Sequence, residues 1–185
     1  MPNIVCIVGK SGSGKTTLIE KLIPELRRRG YRIGTVKHAA HHVDMDKKGK
    51  DSWRHRRAGA DTVVVASNDT IAMTKSANSP RLEDLALYFG DVDLVIVEGF
   101  KSGSFPKIEI FRPEAHETPL SLTDPMLQAM VTDAPVNTPL PRLALNDIQA
   151  LADLVEQRFI DAPAAGAVGE HPKASNPKPN LPDHR

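Results

Sequence analysis

Apolar residues along this chain fall into short continuous runs that alternate with stretches of helical spacing. Residues 4–8 (IVCIV) form such a run and end in glycine, as expected of a strand buried on both faces of a helix-covered parallel sheet. Leu18, Ile19, Leu22, Ile23 and Leu26 then recur at helical spacing, with Glu20, Lys21, Glu25 and Arg27 on the other side. Arginines in the last turn and Gly30 just beyond are stop signals, and Pro24 inside the pattern predicts a local bend. A second strand is expected over 31–36, whereas 37–60 is densely polar and shows no clear period. Two short strands, 62–66 and 70–74, flank Ser67-Asn68-Asp69 and read as a hairpin with a polar turn. Leu82, Leu85, Ala86 and Phe89 place a helix over 81–89, and 94–97 is another continuous apolar strand. Residues 107–112 (KIEIFR) alternate like a half-exposed strand, and 126–132 holds one more. An amphipathic helix covers 148–159 and begins near Asn146 or Asp147.

Strands alternating with helices predict an α/β fold with three α/β/α layers, a mostly parallel sheet and an added antiparallel hairpin. A chain of 185 residues suits one domain with a proper core, here 1–160. From 161 to 185 the composition shifts to proline, alanine and glycine, with five of the fifteen prolines and hardly any large apolar side chain. Such a tail buries too little surface to offset its ordering entropy, so disorder is expected. The formal net charge of +1 gives no bulk attraction to nucleic acid or to a membrane surface. One cysteine, no basic leader and no apolar run of membrane-spanning length make the cytoplasm the expected location.

The chemistry begins at Gly9-Lys10-Ser11-Gly12-Ser13-Gly14-Lys15-Thr16, which meets the Walker A pattern at every fixed position. Glycines let successive amides curl around phosphate oxygens, and the helix that follows adds its positive N-terminal end. Lys15 is expected to reach the β- and γ-phosphates and the Thr16 hydroxyl to ligate Mg²⁺. The plain alternative is a glycine-rich turn, but the preceding buried strand and following amphipathic helix favour the P-loop. Lys10, five residues before Lys15, resembles the signature lysine of dimeric NTPases with a deviant Walker A motif, although Ser11 replaces their usual glycine. A Walker B carboxylate belongs at the C-terminal end of an apolar strand. Glu98 meets that requirement after 94–97, while Asp93 lies at the wrong end, roughly 16 Å away along a strand.

The polar stretch carries His38, His41 and His42, then Asp44, Asp46, Lys50, Asp51 and Ser52, with six Lys/Arg between Asp44 and Arg57. Three histidines near carboxylates raise a transition-metal site, but their spacing fits no closed zinc pattern. A solvated basic loop and a mobile loop contacting phosphate or Mg²⁺ are the alternatives.

Taken together, GKSGSGKTTL, TVKH with its following histidines, DMDKKGKDSWRHRRAGA and DLVIVEGFK resemble the molybdopterin-guanine dinucleotide biosynthesis protein B (MobB) family over residues 4–159. The resemblance implies a homodimeric P-loop protein that binds GTP and Mg²⁺, with at most slow intrinsic GTPase activity. It also implies an adapter role beside the molybdenum cofactor guanylyltransferase, which joins GMP to molybdopterin. Carried over, Gly12, Ser13, Gly14, Lys15, Thr16 and Thr17 hold phosphates, and Thr16, Glu98 and Asp46 serve Mg²⁺. Lys50, Asp51 and Ser52 lie near the nucleotide or partner, and the basic loop meets the phosphate of molybdopterin.

The residues themselves do not choose the base, because the usual Asn/Thr-Lys-x-Asp guanine motif is missing. Asp133, beyond a strand end, is the candidate for guanine N1 and N2, while Asp147 is better read as a helix cap. No catalytic base stands out. Two other classes share the loop: a small-metabolite kinase, which needs a general base and an acceptor pocket, and a nickel-type metallochaperone GTPase using His38, His41 and His42.

Overall fold

A computed structural model describes residues 2–39, 43 and 46–161. The expected tail from 162 onward, His41, His42 and Asp44 lie outside the described residues. Six strands form one sheet: β1 (Asn3–Val8), β2 (Ile33–Lys37), β5 (Leu94–Glu98), β6 (Lys107–Ile110), β7 (Leu127–Val131) and β8 (Arg142–Leu143). Their order is β2-β5-β1-β6-β7-β8, and every pairing is parallel. β1 therefore stands in the middle, where the chain order reverses and open α/β sheets present ligands at their C-terminal edge.

The expected burial of β1 on both faces has a direct cause in the period-two alternation of a strand. Val5 and Ile7 face α1 (Lys15–Arg28) and α4 (Ile148–Val155), packing with Leu18, Leu22, Leu26, Leu151 and Val155. Cys6 and Val8 face the opposite layer with Val95, Val97 and Leu82 of α3 (Leu82–Ala86). Burial pushes the Cys6 thiol up to about 11, so it behaves as a small apolar side chain. Helix α1 runs through Pro24 without interruption. Asp147 caps α4, its carboxylate accepting from the Ala150 amide at 3.0 Å, and a π-helical turn (Glu156–Ile160) completes that element. Arg29 and Glu25 tie the two helices together through Asp153 and Glu156.

Three expectations need correction. β6 is buried along its whole length rather than half exposed, because it lies between β1 and β7. Its charges are accommodated by partners: Lys107 bonds Asp124 at 2.9 Å and the Gly103 carbonyl at 2.7 Å, and Glu109 accepts from the Leu120 and Ser121 amides. The stretch without period contains a helix, α2 (Asp51–Arg57), none of whose residues is buried. It forms with Asp51 in its first turn and arginines in its last, complementing the helix dipole. β8, a two-residue edge strand, is too short to show a pattern in the sequence and was not expected.

The hairpin of β3 (Thr62–Ala66) and β4 (Ile71–Lys75) forms as expected but is a separate two-stranded sheet. Among the described residues no helix is long and apolar enough to cross a membrane.

Candidate functional site

The chain leaves β1 at Val8 and turns through the glycine-rich loop into α1. Close approach dictates Gly9: a Cβ there would stand 2.5 Å from the Ile110 carbonyl oxygen and 2.7 Å from Ser13 Oγ. Gly14 takes φ +94°, a left-handed conformation that lets the loop enter the helix without steric cost. Ser13 is buried, and its hydroxyl has no hydrogen-bond partner among the described residues. Lys15 folds back over the loop, its Nζ donating to the Gly9 carbonyl at 3.1 Å and the Lys10 carbonyl at 2.8 Å. Burial holds the Lys15 pKa below its ordinary value, with the neighbouring Glu98 opposing that shift and Lys101 and Lys37 adding to it.

The structure brings Thr16 and Glu98 together across 82 positions of sequence, the hydroxyl lying 3.0 Å from each carboxylate oxygen. Parallel pairing explains the meeting: Ile7 lies in register with Glu98, so the end of β5 sits beside the start of the loop. Glu98 is mostly shielded, with 16% of its side chain exposed. Two hard oxygen donors at that spacing, at the lip of the glycine-rich loop, are of the kind Mg²⁺ takes. Asp93 is at the far end of the same strand, accepting from the Arg32 amide at 2.7 Å.

Three further residues lie around this pair: Lys37, within the TVKH stretch, and Arg112 and His116, which belong to no motif in the sequence. Lys37 ends β2 in register with Glu98, and its Nζ is 3.6 Å from Glu98 Oε1. Arg112, just past β6, donates from Nε to the Ser13 carbonyl at 3.0 Å. His116, one turn later, meets the Ser11 carbonyl through Nε2 at 2.7 Å. Two side chains thus brace the loop backbone from outside. Only the arrival of parallel β6 beside β1 signals that the segment after it can reach the loop.

The remaining candidates are placed as follows. Thr17 is an exposed residue in the first turn of α1, and the Lys10 side chain is half-buried on the loop. Asp46 accepts from Ser52 Oγ at 2.8 Å and lies 4.0 Å from Arg56, so it anchors α2. Asp133 lies on the correct sheet edge, two positions beyond β7, and its Oδ1 accepts from the Leu145 amide at 3.0 Å. That bond fixes the approach to α4, and the residue is otherwise exposed. β7 is two strands, about 10 Å, from β1. Asn146 accepts from Lys21 Nζ at 3.3 Å. The His38 ring packs on Phe100, with centroids 4.4 Å apart. Among the described residues no three His, Cys, Asp or Glu side chains converge as a metal site would require.

With this geometry in hand, the comparisons with known proteins agree with one another. The family model described as molybdopterin guanine dinucleotide synthesis protein B matches residues 4–133. The molybdopterin-guanine dinucleotide biosynthesis adapter protein of Haemophilus influenzae is 43% identical over 153 residues, covering 81% of this chain and 85% of the relative. The Escherichia coli protein of the same description is 42% identical, covering 78% of this chain and 86% of its own. A crystal structure of Bacillus subtilis MobB superposes with a TM-score of 0.69 at 28% identity, covering 85% of this chain and 98% of that one.

Proposed function

This chain belongs to the molybdopterin guanine dinucleotide synthesis protein B family, and on that premise we propose that it is a cytoplasmic adapter that holds Mg²⁺-GTP for the guanylyltransferase of molybdenum cofactor synthesis. The observation that carries the reading is the Thr16 hydroxyl at 3.0 Å from both oxygens of Glu98, beside the loop-bound ammonium of Lys15. Amides of the loop and Lys15 take the phosphates, with Gly12, Ser13, Gly14, Thr16 and Thr17 lining the approach. The buried Ser13 hydroxyl has a free hydrogen-bonding capacity that a phosphate oxygen would satisfy. Mg²⁺, when bound, neutralises phosphate charge; Thr16 and Glu98 would hold it, with Asp46 as a further carboxylate. Asp133 remains the candidate for guanine through the oxygen that Leu145 does not engage.

Site geometry favours holding over turnover. The loop has cations, a hydroxyl and one carboxylate, Glu98, that is already engaged by Thr16 and Lys37. Slow hydrolysis at most is the expected behaviour. For partners, the exposed apolar residues of the hairpin, Val64, Val65, Ile71 and Met73, are assigned to a second copy of this chain, giving a homodimer. The basic residues of α2 and the segment before it face the phosphate of molybdopterin or the guanylyltransferase.

Calorimetric titration with non-hydrolysable GTP and ATP analogues, with and without Mg²⁺, tests the core of this reading. Wild type should bind the GTP analogue more tightly and gain from Mg²⁺, and Lys15→Ala should lose most of that affinity. A preference for adenine sinks the guanine assignment, and unchanged binding by Lys15→Ala sinks the phosphate cradle.

A further inference from the structure

Charge around Glu98 is out of balance. Three ammonium groups, Lys15, Lys37 and Lys101, act on this one neighbourhood, and Glu98 is the acid set among them. Lys15 is already committed to the loop carbonyls. Lys37 is not committed in that way: its side chain is 67% exposed, and it pairs with Glu98 at 3.6 Å. The same carboxylate also accepts from Thr16 through both oxygens. Were Thr16 and Glu98 to hold a divalent ion, the Glu98 carboxylate would have less charge left for Lys37. With Glu98 engaged in that way, the anion nearest Lys37 would be the phosphate held by the loop.

We propose that Lys37 is a residue that distinguishes a nucleoside triphosphate from a diphosphate, turning from Glu98 to the γ-phosphate when the metal-nucleotide complex binds. The inference rests on the proposed function and extends it to a site-specific reading of phosphate number. The placement is fixed by the fold. Lys37 and Glu98 are register partners on adjacent parallel strands, so both side chains leave the same edge of the sheet. Glu98 lies between Lys37 and the loop, since β5 separates β2 from β1. A lysine there approaches a phosphate chain from the β5 side, whereas the loop amides and Lys15 approach it from within the loop.

The test is calorimetric titration in Mg²⁺ with GDP and with the β,γ-imido analogue of GTP, for wild type, Lys37→Gln and Lys37→Arg. Loss of a charge-assisted contact should weaken the triphosphate analogue by about tenfold or more in Lys37→Gln and GDP by less than about twofold. Lys37→Arg should keep most of the discrimination, because the charge and the reach are retained. Equal weakening of both nucleotides in Lys37→Gln, or no weakening of either, overturns this inference and leaves the nucleotide site standing. A wild-type protein that binds neither nucleotide overturns the inference together with the function it rests on.

Discussion

β1 and the hairpin are built from similar residues, IVCIV in one case and TVVVA with IAMTK in the other, yet they meet opposite fates. Val5, Cys6, Ile7 and Val8 are 0% exposed, whereas Val64 and Val65 are 56% and 51% exposed. β1 has a strand on each side and a helical layer on each face; among the described residues β3 and β4 pair only with each other, and α2 packs against β3. Strand-forming side chains alone therefore do not decide burial, and neighbours do. The functional consequence follows the same division. Dense packing fixes the loop after β1 well enough to set Thr16 at 3.0 Å from Glu98. The hairpin instead presents apolar surface outward, suited to contact with another molecule.

This contrast can be broken by substitution. Leu22→Ala, in the core between α1 and the sheet, should cost about 2–5 kcal/mol of stability in urea unfolding. A loss below about 1 kcal/mol would show that the core is looser than its burial implies. Asp124→Asn should cost less, about 1–3 kcal/mol at neutral pH, because Lys107 stays buried with a weakened partner. The Met126 amide and then Lys107 hold the Asp124 carboxyl below its ordinary 3.8. A depressed folded value means the stabilisation is present above about pH 4 and lost as pH falls through the lowered value. Unfolding curves of wild type and Asp124→Asn should thus converge in acid, and a gap that persists or widens there contradicts the assignment.

Arg112→Ala removes one of the two outside braces on the loop and should weaken nucleotide binding by about tenfold. Its effect on unfolding should be small, so a large loss of stability with intact binding would reverse the roles of loop and core. Ile71→Ser, on a residue 77% exposed, should change monomer stability by less than about 0.5 kcal/mol. It should nonetheless shift the mass measured by light scattering from dimer toward monomer. An unchanged mass would remove the second copy from the hairpin face.

Legibility in the sequence follows the same physics. The two-sided strands β1 and β5 and the amphipathic face of α1 are readable because burial imposes a pattern, and the glycine spacing of the loop because close approach at Gly9 and the left-handed turn at Gly14 do. α2 is not readable, since its partly buried face carries Ser52, Trp53 and Arg56 rather than a run of apolar residues at helical spacing. β6 misleads for the reverse reason: its alternating charges point to solvent in sequence, but Asp124 and the amides of Leu120 and Ser121 satisfy them inside. In the site, Thr16 and Glu98 are marked by their motifs. Arg112 and His116 reach the loop across 99 and 105 positions, and only the folded register reveals such contacts.

Mg²⁺ dependence of GTP binding in Glu98→Gln tests the central claim most directly. Wild type should bind the GTP analogue more tightly when Mg²⁺ is added, and the variant, which keeps the shape but loses the charge, should show little of that gain. An equal gain from Mg²⁺ in both proteins would contradict the assignment of Thr16 and Glu98 as the metal-holding pair.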